Sequence, residues 1–110
     1  MKIGILISGS GSNMIKLIES CQNSKNAFIE IVISNNPDAK GIEYAKLKNI
    51  KTKVVDHKEF SEREDFDNKV HEVLLENNID FLCNAGFMRI HGEKFVEKWF
   101  NKHLNIHPSL

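Results

Sequence analysis

Cysteine is scarce in this 110-residue sequence: there are two, Cys21 and Cys83, far apart and belonging to no metal-spaced set. A disulfide-built scaffold is thereby disfavoured, and reduced, buried thiols in a reducing compartment are expected. Long apolar runs are missing too. The opening MKIGILISGSG carries a short run that falls below the ~7–15 residues of a signal-peptide core, and nothing approaches the ~20 needed to span a bilayer. A cytoplasmic location is the expectation. Charge of one sign is also absent, since 15 basic residues balance 15 acidic ones. No global pull toward nucleic acid or a membrane surface follows, although a local anion site remains open. Linkers, repeats and low-complexity stretches are lacking, which predicts one domain over residues 1–110.

Arginine is the rarest basic side chain, with only Arg63 and Arg89 among the 15 basic residues. In a lysine-rich chain the two arginines are candidates for sites where a planar fork meets a carboxylate, with chance placement as the alternative. Arg63 reads equally well as a solvated first-turn residue beside Glu62 and Glu64.

What is present alternates. Ile3 to Ile7 is an apolar run suited to a strand buried on both faces, followed by the turn Ser8-Gly9-Ser10-Gly11. From Ser12 the period changes: Met14, Ile15, Leu17, Ile18 and Cys21 share one helical face, with Ser12 or Asn13 as its cap. Phe28 to Ile33 reads as a second strand ending in the turn-rich SNNPD, Ala39 to Leu47 as a helix, and Thr52 to Val55 as a third strand. Ser61-Glu62-Arg63-Glu64 fits a capping box opening a helix that runs to about Glu76. Phe81 to Ala85, Glu93 to Phe100 and His103 to Ile106 complete the series as strand, helix and strand. The pattern predicts an α/β fold, Rossmann-like, with a mostly parallel sheet, flanking helices and right-handed crossovers. Ligands in such sheets bind beyond the carboxyl ends of the strands, where strand order reverses.

Three segments follow strands on that edge. SGSGSN combines glycines that allow close backbone approach with helix-start N–H groups that attract anions. It fits neither the dinucleotide fingerprint, which wants a third glycine where Met14 stands, nor the Walker pattern. A small phosphate monoester or a plain strand-to-helix turn remain as readings. GFMRIH, residues 86–91, is a glycine turn with an apolar cluster and one of the two arginines. NIHPSL places Asn105 and His107 two apart on a strand, so their side chains point the same way. Asn105 can donate to a developing oxyanion, and His107 can exchange a proton near neutral pH; a hydrogen-bonded histidine at a strand end is the plainer alternative. The remaining histidines show no ligand spacing with it, and no metal is expected.

Taken in order, SGSGSN, AGFMRI and NIHPSL resemble the folate-dependent formyltransferases, and within them the glycinamide ribonucleotide formyltransferases, along the whole length of the chain. The Asn-x-His core is shared with methionyl-tRNA formyltransferases and formyltetrahydrofolate deformylases; the first loop favours the ribonucleotide enzymes. A non-catalytic phosphate-binding module is the alternative from another class. The resemblance implies formyl transfer from 10-formyltetrahydrofolate to the amine of 5'-phosphoribosylglycinamide in purine biosynthesis, without a metal or covalent enzyme intermediate. It also implies that Gly11, Ser12 and Asn13 hold the substrate phosphate. Arg63, Met88, Arg89, Ile90, His91 and Asn105 would contact the folate, and Asn105 and His107 would be catalytic.

Three features depart from that family. His91 stands where an apolar residue is usual, which could make folate binding pH-dependent. Asn84 is unusually polar for a central strand. Family members also continue past HPSL, through a part that supplies an aspartate partner for the histidine. The expectation is therefore an N-terminal portion with little activity alone, self-associating through an exposed sheet edge.

Overall fold

In a computed structural model the described residues are 1–89 and 91–106. Five parallel strands form one sheet: β1 (Lys2–Ile7), β2 (Phe28–Ser34), β3 (Lys51–Val54), β4 (Phe81–Ala85) and β5 (His103–Ile106), in the order β3-β2-β1-β4-β5. Between them lie α1 (Ser12–Cys21), α2 (Lys40–Leu47), a 3₁₀ turn (His57–Glu59), α3 (Arg63–Glu76) and α4 (Glu93–Lys98). The chain winds outward from β1 to β3, then returns to the other side of β1 to lay down β4 and β5.

Alternation along each strand divides the core between the two faces. Ile3, Ile5 and Ile7 of β1 pack with Met14 and Ile18 of α1 and Ile42 and Ala45 of α2. Leu6 points the other way and joins Phe66, Val70, Val73 and Leu74 of α3 with Phe95 of α4. Strand β4 repeats the division, with Cys83 and Ala85 in the first cluster and Leu82 in the second. Gly4 is needed here because a Cβ would come within 2.9 Å of the Leu74 side chain.

The predicted elements are all present, with four local corrections. Gly11, at φ 73°, caps α1 and makes no side-chain bond; neither Ser12 nor Asn13 does so, because the helix already starts at Ser12. The Ser61–Glu64 capping box does not form. The cap is Glu62, whose carbonyl takes the Phe66 amide at 3.3 Å, and this puts Asp65 rather than Glu64 at the box's third helical position. Strand β3 begins one residue early, at Lys51, and lies on an edge where Lys51 and Lys53 are exposed. Helix α4 stops at Lys98 instead of Phe100, since Trp99 turns into the core and Asn101 adopts φ 64° to lead into β5.

Candidate functional site

Strands β1 and β4 are neighbours, yet the chain leaves them toward opposite faces: β1 runs into α1, and β4 into the segment before α4. Diverging exits of this kind open a crevice at the carboxyl edge. A cavity of about 270 Å³ occupies it, lined by Ser8 to Asn13 from the first loop and by Ala85, Gly86 and Met88 from the second. No lining residue carries a charge, so an anion there would be met by hydroxyls and by the N–H groups that open α1.

The first loop is shaped from behind. Gly11 sits in the left-handed region, and a Cβ on it would meet the Met14 methyl at 2.9 Å. Gly41, at the start of α2, donates its N–H to the Gly9 carbonyl at 3.1 Å. A Cβ on Gly41 would lie 2.5 Å from the Ile7 side chain, so only glycine lets α2 come this close to the loop.

Ser8 joins the two loops. Its Oγ donates to Asn35 Oδ1 at 2.6 Å and accepts the Met88 amide at 2.8 Å. Asn35, buried at the end of β2, is within 3.3 Å of His57 Nδ1 through its own Nδ2. Asn35, His57 and Gly41 escaped the sequence reading, which took Ser8 only as part of the SGSGSN turn. The turn-rich SNNPD cluster was the signal for Asn35 alone, and it says nothing about what its side chains hold.

The second loop leaves β4 through Gly86 at φ 74°. Met88 is 82% exposed at the cavity. Arg89 is half-buried, with its guanidinium 5.7 Å from the Phe66 ring centroid. Arg63 stands apart from the first loop. It lines a separate cavity of about 410 Å³ with Glu62, Glu64, Asp67, Asn68 and the start of α4. Asn105 is exposed on β5, paired in register with Asn84. Thus Gly11, Ser12, Asn13 and Met88 share one cavity, Arg63 borders another, and Ile90 and His107 lie outside the described residues.

His91 is neither exposed nor merely backbone. Its side chain is 5% exposed and bonds Asp67 Oδ1 through Nδ1 at 3.1 Å. Its Nε2 faces Asn84 Nδ2 at 3.1 Å, so the two polar departures noted in the sequence touch each other. Burial lowers its pKa below the ordinary 6.5, although the Asp67 carboxylate opposes the shift. Burial likewise lowers His103, with His91 adding to the effect. Burial raises the Cys83 thiol to about 11, so it is an inert core group.

The family model described as formyl transferase matches residues 1–110. The chain belongs to that family. It is 46% identical over 110 residues to the human trifunctional purine biosynthetic protein adenosine-3, covering 99% of this chain and 11% of that protein. It is 39% identical over 112 residues to the phosphoribosylglycinamide formyltransferase of Escherichia coli, covering all of this chain and 52% of that one. Among solved structures, the phosphoribosylglycinamide formyltransferase of Coxiella burnetii superposes with a TM-score of 0.93 at 36% identity, over 100% of this chain and 52% of that one. This formyl transferase chain thus spans about half the length of its bacterial relatives and matches their N-terminal portion. The Rossmann-like fold expected from the sequence is the fold these relatives have.

Proposed function

We propose that the chain is the phosphate- and folate-binding part of an enzyme that transfers a formyl group from 10-formyltetrahydrofolate to the amine of 5'-phosphoribosylglycinamide in purine biosynthesis. The observation that carries this reading is the uncharged cavity at the β1/β4 switch point, lined by the first loop and the start of α1 and joined by Ser8 to the Met88 amide. A phosphate monoester suits the first loop: Gly11, Ser12 and Asn13 offer backbone amides where an anion gains about 0.3–1 kcal/mol from the helix dipole and more from direct bonds. The folate suits the second loop, where there is open space beside Gly86 and Met88 is exposed at the cavity. Met88, Arg89, Ile90 and His91 are the residues we assign to folate contact, the last through its backbone, and Arg63 and Arg89 are the forks for its anionic tail.

The folate supplies the formyl group. The chain's own residues bind, orient and move protons. Asn105 donates its carboxamide N–H to the oxygen that gains charge as the amine adds to the formyl carbon. His107 carries the proton that the leaving nitrogen requires. One such donor is worth roughly 10²–10³ in rate, and a positioned proton transfer roughly 10²–10⁴. The location we assign is cytoplasmic; among the described residues no helix is long and apolar enough to cross a membrane.

Titration of the ¹⁵N-labelled chain with ribose 5-phosphate tests the reading. The Gly11, Ser12 and Asn13 amides should move together and saturate. Gly11→Ala should weaken the binding at least tenfold. Saturation at some other surface, with these amides unmoved, would overturn it.

A further inference from the structure

We propose that His91 is a positioning residue, held between Asp67 and Asn84, that fixes the placement of Phe87 and, through it, of Met88 and Arg89. The inference rests on the assignment of that segment to the folate. Its starting point is a clamp. One carboxylate holds two consecutive residues: Asp67 Oδ1 takes His91 Nδ1 at 3.1 Å, and Asp67 Oδ2 takes the Gly92 amide at 2.8 Å. The other end of the segment is fixed by Ser8 on the Met88 amide at 2.8 Å. Met88 on one side, and His91 with Gly92 on the other, are therefore each held by a side chain from another element.

The hydrogen-bond inventory sets the state of the imidazole. A carboxylate only accepts, so Nδ1 carries the proton toward Asp67. The ring's Nε2 then accepts from Asn84 Nδ2, which fixes the tautomer and the amide orientation together. Asn84 is 4% exposed, and its Oδ1 has no partner among the described residues. The ring is stacked between Phe87, at 5.1 Å and 16°, and Phe95, at 4.1 Å and 16°. It cannot tilt without moving Phe87, which precedes Met88 directly.

A second proton on Nε2 would set two donors face to face. Relief requires Asn84 to turn its buried Oδ1 toward the ring, or the ring to leave the stack. The groups facing His91 are Asp67 from α3, Asn84 from β4, the edge of His103 from β5 with centroids 5.6 Å apart, and the rings of Phe87 and Phe95. Arg63 and the Lys94–Glu64 pair at 2.9 Å stand along the adjoining cavity. Burial lowers the His91 pKa, so the neutral clamp is complete above pH ~6.5 and is lost as pH falls through the lowered value.

The test uses the 110-residue chain, its Asn84→Leu/His91→Leu double variant and ¹⁵N NMR. The expected result is a neutral Nδ1–H imidazole at pH 7. The Phe87, Met88 and Arg89 amides should shift with the His91 titration, and this co-titration should vanish in the double variant. Affinity for 5-formyltetrahydrofolate should fall in step with the protonation of His91 as pH drops below 6.5 in the wild-type chain, by less than tenfold at pH 5.5, and stay level in the double variant. An Nε2–H tautomer, amides indifferent to the His91 titration, or a pH dependence that survives in the double variant would overturn the proposal. Absence of binding at every pH would overturn the folate assignment instead, because the tautomer and the co-titration decide the role of His91 without ligand.

Discussion

Gly11 and Ser8 show how much of the candidate site rests on single atoms. Gly11 holds φ 73°, and a Cβ there would lie 2.9 Å from the Met14 methyl. Alanine there adds the left-handed penalty of about 1–2 kcal/mol to a steric overlap. Gly11→Ala should therefore lower the urea midpoint of unfolding with an unchanged m-value, while weakening phosphate binding. At Ser8 one hydroxyl serves two loops. Ser8→Ala removes the acceptor of the Met88 amide, a loss of about 1 kcal/mol for a typical hydrogen bond. The Met88 amide should then exchange with solvent faster, while amides in the middle of β1 keep their protection. The glycines of the first loop were legible in the sequence, because turn and anion-site chemistry is local. Ser8 was not: its partners, Asn35 and Met88, are 27 and 80 residues away.

Helix α4 depends on what lies beneath it. Only six residues long, it is too short to be stable by itself and is held by the burial of Phe95 and Trp99. The Trp99 indole also donates to His71 Nδ1 of α3 at 3.0 Å, which requires that nitrogen to be unprotonated. Burial, with a smaller effect from Lys98, lowers the His71 pKa below 6.5. A lowered histidine pKa means the unfolded state binds the proton more readily. The contribution is therefore complete above pH ~6.5 and is lost as pH falls toward the folded value. His91 and His103 act in the same direction. Acidification below pH 6.5 should thus lower the thermal midpoint, and the fluorescence of the single tryptophan should report α4 loosening first. His71→Gln, which keeps a hydrogen-bonding group without the titration, should flatten the fluorescence change. The sequence revealed α4 but not its end, since Trp99 is drawn inward by core burial that no local pattern encodes.

At the scale of the whole molecule, the two sheet edges differ. The β3 edge carries Lys51 and Lys53, charges that discourage pairing with another chain. The β5 edge has Leu104 at 51% exposure, with Phe100 at 72% and Val96 at 46% close by in the chain. Sedimentation velocity should show concentration-dependent association of the 110-residue chain, and Leu104→Lys should reduce it. The sequence by itself determined the element order, the parallel sheet and the edge on which the three segments open. Those follow from hydrophobic period and from the rule that strand–helix alternation builds parallel sheets. Only the tertiary structure decided that Arg63 borders a different cavity from Gly11, and that Asn84 and His91, both unexpectedly polar, are partners. Period and propensity act over a few neighbouring residues, whereas the closing of a polar pair depends on which side chains the packed helices bring face to face.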